Sequence, residues 1–254
     1  MRRTVIAGNW KMNTERESAA ALASAIASGL VNVPPAENVD IVLCPPFPLI
    51  PIVGDRITGS RLNLGAQDVH DRPPGAYTGE VSTKMLVSVG CTHVIVGHSE
   101  RRMMFAESDL DVCYKANAAQ DAGLHPIVCV GETEAEREAS RTEEVLRRQV
   151  RTAVDGLFEF NIRNIIIAYE PIWAIGTNNP ATPGQAEEAH AFIRGLLAEI
   201  YSQEVANDIS IIYGGSMKPD NARELLAQPN IDGGLIGGAS LDAASFLGII
   251  KALN

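Results

Sequence analysis

The sequence predicts a single-domain α/β protein: a closed (β/α)8 barrel of eight parallel strands with helices outside. Chain length, the composition of the strands and their spacing all point there. At 254 residues the chain matches one such barrel, which typically needs about 250. Residues 1–254 read as one unit, with no linker or low-complexity break. Several strands are apolar on consecutive residues, as in Val94-Ile95-Val96, Ile165-Ile166-Ile167 and Ile209 to Tyr213. Strands buried on both faces read this way, and parallel sheets bury both faces.

Strands are expected at 4–9, 40–44, 62–66, 93–97, 126–130, 164–169, 209–213 and 234–237. Their starts lie 22 to 45 residues apart, room for a crossover helix in nearly every gap. An open doubly wound sheet fits the same periodicity. Thr14-Glu15-Arg16-Glu17 and Thr182-Pro183-Gly184-Gln185 have capping-box spacing, the second with proline at the first helical position. Residues 184–200 then carry a helical apolar face of Ala189, Phe192, Ile193, Leu196, Leu197 and Ile200. In the second unit Pro46, Pro48 and Pro51 leave room for only a short helix.

Hydrophobic residues make up 46% of the chain, enough for a sizeable core. A net charge of −10 argues against nucleic acid as a partner, since such proteins carry a basic face. It also means that an anionic substrate needs a locally positive site. Cys44, Cys91, Cys113 and Cys129 show no metal-like or redox-like spacing and read as reduced thiols in a core. Arg2 and Arg3 are not followed by the apolar run of a signal peptide. The longest uncharged apolar stretch, Ile41 to Gly54, holds four prolines and is too short to span a membrane. These features together point to the cytoplasm.

Polar residues and glycines cluster where the apolar strands end: Asn9 and Lys11 after the first, His98 and Glu100 after the fourth, Glu170 after the sixth. Gly214-Gly215-Ser216 follow the seventh strand and Gly237-Gly238-Ala239-Ser240 the eighth. In a parallel barrel these ends share one mouth, where barrel enzymes place their sites. Glu170, behind Ile165-Ile166-Ile167-Ala168-Tyr169, reads either as a general base in an apolar wall or as a rim glutamate in a salt bridge. Pro171 to Thr177 favours the base, because Trp173 and Ile175 look exposed in a static loop and would be buried by a closing lid. A lone strand-end histidine such as His98 is structural more often than catalytic, and no second ligand stands at a metal-binding interval. His70, His93, His125 and His190 read as loop, strand-edge or helix residues. The two glycine pairs allow backbone amides to approach an anion closely. Lys11, the one lysine at an expected strand end, either balances substrate charge or pairs with Glu100.

Five stretches, AGNWKMN (7–13), VIVGHSERR (94–102), AYEPIWAIGT (168–177), IIYGGS (211–216) and DGGLIGGASL (232–241), together resemble the triosephosphate isomerases. The likeness spans nearly the whole chain in order, and AYEPIWAIGT is its most specific part. It implies reversible isomerisation of dihydroxyacetone phosphate and D-glyceraldehyde 3-phosphate, in glycolysis and gluconeogenesis, without metal or organic cofactor. It further implies Glu170 as proton-transferring base, His98 as neutral electrophile, and Lys11 and Asn9 as charge and hydrogen-bond partners. Gly176, Ser216, Gly237 and Gly238 are implied as phosphate-binding positions. The resemblance also implies a homodimer, in which GAYTGE (75–80) docks beside the partner's active site. Asn178-Asn179-Pro180 and Ala106 differ from the common family pattern, and neither falls on a catalytic position.

Two other functions compete with this one. A Schiff-base aldolase needs a desolvated lysine at a central strand end; Lys84, Lys115, Lys218 and Lys251 read as helical or loop residues, leaving Lys11. A non-catalytic barrel serving as a binding module has no need to keep Glu170, His98 and the lid together.

Overall fold

The computed structural model describes residues 2–35, 37–157, 159–174 and 181–253. The strands are β1 (Thr4–Asn9), β2 (Val39–Cys44), β3 (Leu62–Ala66), β4 (Cys91–Val96), β5 (His125–Val130), β6 (Ile166–Tyr169), β7 (Ser210–Tyr213) and β8 (Gly233–Ile236). They pair in chain order, all parallel, and β1 closes on β8. The open sheet is thereby excluded.

Alternation along each strand builds two cores. Val5, Ala7, Val42, Cys44, Ile95, Ile127, Cys129, Ile166, Ala168, Ile212 and Leu235 fill the barrel interior. Their neighbours, such as Ile6, Val94, Val96, Ile167 and Ile211, face outward into a second apolar layer under the helices. This two-sided burial is why the strands are continuous apolar runs in the sequence.

The helices in chain order are α1 (Arg16–Leu30), α2 (Ile50–Ile57), α3 (Thr83–Ser88), α4 (Ser99–Met104), α5 (Asp109–Asp121), α6 (Glu134–Glu138), α7 (Thr142–Ala153), α8 (Glu159–Ile162), α9 (Pro183–Ile200), α10 (Gln203–Asp208), α11 (Ala222–Leu226) and α12 (Ala243–Lys251). Helix α1 buries Ala19, Ala23, Ile26 and Leu30, one stripe of a 3.6-residue period. Its start differs by one residue from expectation. Thr14 takes φ +72°, outside the extended range an N-cap uses, so Glu15 is the cap, and its amide donates to Ser18 Oγ at 2.9 Å. The box at α9 is as expected: Thr182 N–H donates to Gln185 Oε1 at 3.0 Å and Gln185 N–H to Thr182 Oγ1 at 3.3 Å. The buried face of α9 is rotated from the expected one, with Phe192 and Ile200 only half-buried and His190 and Arg194 inside. The second unit has a short 3-10 turn (Phe47–Leu49) running into the eight-residue α2.

All four cysteines are buried and unpaired. Burial pushes the Cys91 thiol up to about 12 and raises those of Cys44, Cys113 and Cys129 as well. No helix among the described residues is long and apolar enough to cross a membrane.

Candidate active site

At the C-terminal mouth of the barrel lies a cavity of about 530 Å³ lined by Asn9, Lys11, His98, Glu170, Ser216, Gly237 and Gly238, among others. Every expected site residue within the described chain lines it. Gly176, together with Ile175 of the expected lid, lies outside the described residues.

Strand parity delivers two of these side chains. In β1 the inward set Val5 and Ala7 continues to Asn9, and in β6 Ile166 and Ala168 continue to Glu170. His98 breaks the parity of Ile95, and Gly97 is what allows it. With φ +69° Gly97 makes a left-handed turn, and a Cβ there would meet Val112 at 2.6 Å. The chain then enters α4 with His98 as N-cap.

Glu170 and His98 are both buried. Glu170 Oε1 stands 3.0 Å from His98 Nε2, inside ion-pair range but without hydrogen-bond alignment. The other oxygen, Oε2, accepts the Ser99 amide at 2.8 Å. His98 Nδ1 accepts the Glu100 amide at 3.2 Å. A backbone amide only donates, so Nδ1 carries a lone pair and the proton of the neutral ring sits on Nε2, facing the carboxylate. Lys11 Nζ is 2.6 Å from Glu100 Oε1. Of the two readings of Lys11, the pairing with Glu100 is therefore present, and Lys11 lines the cavity at the same time.

The glycine loops complete the wall beside these residues: a Cβ at Gly214 would stand 2.8 Å from Glu170 Cγ, and one at Gly237 3.6 Å from Lys11 Cε. The 3-10 turn Gly238–Leu241 starts at the cavity and is pinned by Ser240, whose N–H and Oγ–H both donate to Gly237 O, at 2.9 and 2.7 Å. The first amides of a helical turn have no partner inside it, which suits an anion. On the β7 side Asn221 Nδ2 donates to Ser216 O at 3.1 Å.

Trp173 differs from expectation. It is half-buried in a 3-10 turn (Ile172–Ala174), its Nε1 donates to Glu132 Oε1 at 2.9 Å, and the Arg137 guanidinium lies 4.3 Å from its ring centroid. Glu132 is fully buried and also accepts from Tyr169 Oη at 3.1 Å and Arg137 Nη1 at 3.0 Å.

Three contributors were not anticipated: Gln67 beyond β3, and Gly131 and Glu132 beyond β5. A Cβ at Gly131 would stand 1.8 Å from Glu170 O, so only glycine lets the chain pass there. The strand-end rule that found Lys11 and Glu170 points equally to these positions.

Known proteins resemble the chain over nearly its whole length. The model of the family described as triosephosphate isomerase matches residues 4–253. A Rhodopirellula baltica protein named triosephosphate isomerase is 53% identical over 99% of this chain and 98% of its own length. Proteins of the same name from Moorella thermoacetica (52%, 99% of each chain) and Halorhodospira halophila (50%, 99% and 98%) align as completely. A closed eight-stranded parallel barrel, a glutamate and a histidine in contact at its mouth, and near-complete alignment with these relatives lead to one conclusion: the chain belongs to the triosephosphate isomerase family.

Proposed function

We propose that the whole chain is one catalytic domain that interconverts dihydroxyacetone phosphate and D-glyceraldehyde 3-phosphate, with Glu170, His98, Lys11 and Asn9 as its catalytic set. The observation that carries this assignment is the 3.0 Å approach of Glu170 Oε1 to His98 Nε2 in a cavity shared with Lys11 and the glycine loops. Glu170 takes a proton from the carbon beside the carbonyl. The C–H pair becomes a carbon–carbon double bond, and the carbonyl π pair moves onto oxygen. His98, protonated on Nε2, donates to that oxygen, while Lys11 and Asn9 offset its charge. Glu170 then returns its proton to the neighbouring carbon, and the other hydroxyl gives its proton back to His98 Nε2 as the new carbonyl forms. Before this, Glu170 must release the Ser99 amide, so arrival of substrate and movement of the carboxylate belong to one step.

Ser216, Gly237 and Gly238, joined by Gly176, hold the phosphate. Trp173 anchors the base of a lid through Glu132. The reaction serves glycolysis and gluconeogenesis in the cytoplasm, and no cofactor enters it.

The working unit is a homodimer. In support, Tyr77 at the tip of the Gly75–Gly79 loop is 43% exposed with its ring edge-on to His70, and Met12, next to Lys11, is 95% exposed. Apolar side chains presented this way suit an interface.

A coupled isomerisation assay tests the assignment. Glu170→Gln should retain fold and phosphate affinity but lose roughly 10²–10⁴-fold in turnover, the usual share of a general base. A variant within threefold of the parent removes Glu170 from this role.

A further inference from the structure

Lys11 holds a backbone conformation that needs outside support. Its φ is +50°, in the left-handed region where a residue with a Cβ is strained and persists only when its surroundings over-determine it. Two side chains do so. Asn9 Oδ1 accepts the Lys11 amide at 3.0 Å. Gln67, one residue past the end of β3, donates from Nε2 to Lys11 O and to Cys44 O, both at 2.9 Å. Carbonyl oxygens only accept, so the nitrogen of this amide, not its oxygen, must face them. Both of its N–H groups are then committed.

The second partner fixes the geometry. Cys44 ends β2, sits opposite Asn9 in the β1–β2 register, and also accepts the Trp10 amide at 3.1 Å. Gln67 thus ties the loop after β1 to the end of β2 from the end of β3. The Lys11 side chain is long and flexible, and its ammonium has one ion-pair partner among the described residues, Glu100. Where that ammonium stands depends on where its stem begins, and the stem begins at the clamped backbone.

We propose that Gln67 is a positioning residue for Lys11: it touches no substrate and sets the place from which the Lys11 charge reaches it. The inference rests on the charge role assigned to Lys11 above. Without the clamp the Lys11 backbone relaxes toward negative φ and swings its Cβ. A displacement near 1 Å in a site of this kind costs on the order of 10²-fold.

The experiment is a double-mutant cycle on the full chain with Gln67→Met, which keeps length and removes both donors, and Lys11→Met. Gln67→Met should lower kcat/KM by roughly 10–100-fold, mostly through kcat, because an ammonium offsetting the charge that develops on the substrate oxygen acts in the transition state. In the Lys11→Met background the same change should cost less than about threefold. Where Lys11→Met turns over too slowly, the comparison uses the rise in Tm produced by a saturating phosphate-bearing enediolate mimic. If Gln67→Met does not fold, Gln67→Glu, of equal shape with acceptors in place of donors, carries the same comparison. Parental kcat/KM in the Gln67 variant, or an equal loss in both backgrounds, overturns the inference. Lys11→Met within threefold of the parent overturns the charge role itself, and this inference with it.

Discussion

Adding one methyl group at Gly131 should disable the site from behind. Gly131 follows β5 and lies against the backbone of Glu170. A Cβ there would stand 1.8 Å from Glu170 O and 2.6 Å from Glu170 C, below the 3.0 Å that real Cβ contacts respect. The shortfall is about 1.2 Å, and both atoms are backbone, so no rotamer relieves it. Gly131 cannot simply retreat, because its amide donates to buried Gln149 Oε1 at 2.7 Å. Glu170 N–H is likewise fixed to Val130 O at 2.7 Å. Gly131→Ala must therefore displace the base by roughly an ångström, which costs on the order of 10²-fold in kcat. Overpacking of this kind also costs about 1–3 kcal/mol, and each kcal/mol lowers Tm by about 2–4 °C at this chain length. The assay pairs steady-state turnover with a thermal melt and with binding of inorganic phosphate, whose proposed site is built from the loops after β7 and β8. Turnover should fall while phosphate binding persists. A kcat within threefold of the parent in a folded variant would refute the idea that Glu170 is held rigidly by its backbone.

Trp173 should change its emission when a phosphate-bearing enediolate mimic binds, as closure alters its bond to Glu132; measured in a Trp10→Phe background, an unchanged spectrum at saturation counts against lid closure. Tyr77→Asp should favour monomers and reduce turnover, since an unpaired carboxylate buried at an interface costs several kcal/mol; light scattering of the parent should give about twice the chain mass of 27.2 kDa, and a fully active parental monomer ends the dimer proposal. Burial pushes the His93 and His190 imidazoles down to about 3 from 6.5. The unfolded chain then binds more protons than the native one below pH 6.5, so stability is full above that pH and falls toward pH 3, by about 1.4 kcal/mol per pH unit for each histidine. Urea melts of His190→Asn should show a shallower slope between pH 6 and 4, and an unchanged slope contradicts the assignment.

The strands were legible because burial on both faces leaves an apolar run that no amphipathic helix imitates. Their ends were found to within a residue or two, and the mouth residues followed from their place just past those ends. What the sequence hid were contacts whose partners lie far apart in the chain. Trp173 looked exposed because its acceptor Glu132 is 41 positions upstream, with no local pattern joining them. Gln67 reaches back 56 positions to Lys11; its place after a strand was readable, but the partner it reaches was not. His190 was different: Ala186, His190, Ile193 and Leu197 follow a helical repeat, so its burial was readable. The Thr14 misplacement had a backbone cause, since a positive φ is invisible in a residue that is neither glycine nor asparagine.

The unpaired thiols give the molecule a built-in record of how it comes apart. Alkylation requires a thiolate, and all four cysteines are both enclosed and held in the thiol form by burial. The native state is therefore silent to alkylating reagents, and every modified cysteine marks an opening event. The four divide by location. Cys44 and Cys129 belong to the barrel interior, inside the ring of strands. Cys113 lies on α5, and Cys91 packs in the layer beneath the helices. The order in which the two pairs become reactive tells whether the helical coat peels away from an intact barrel or the two fail together.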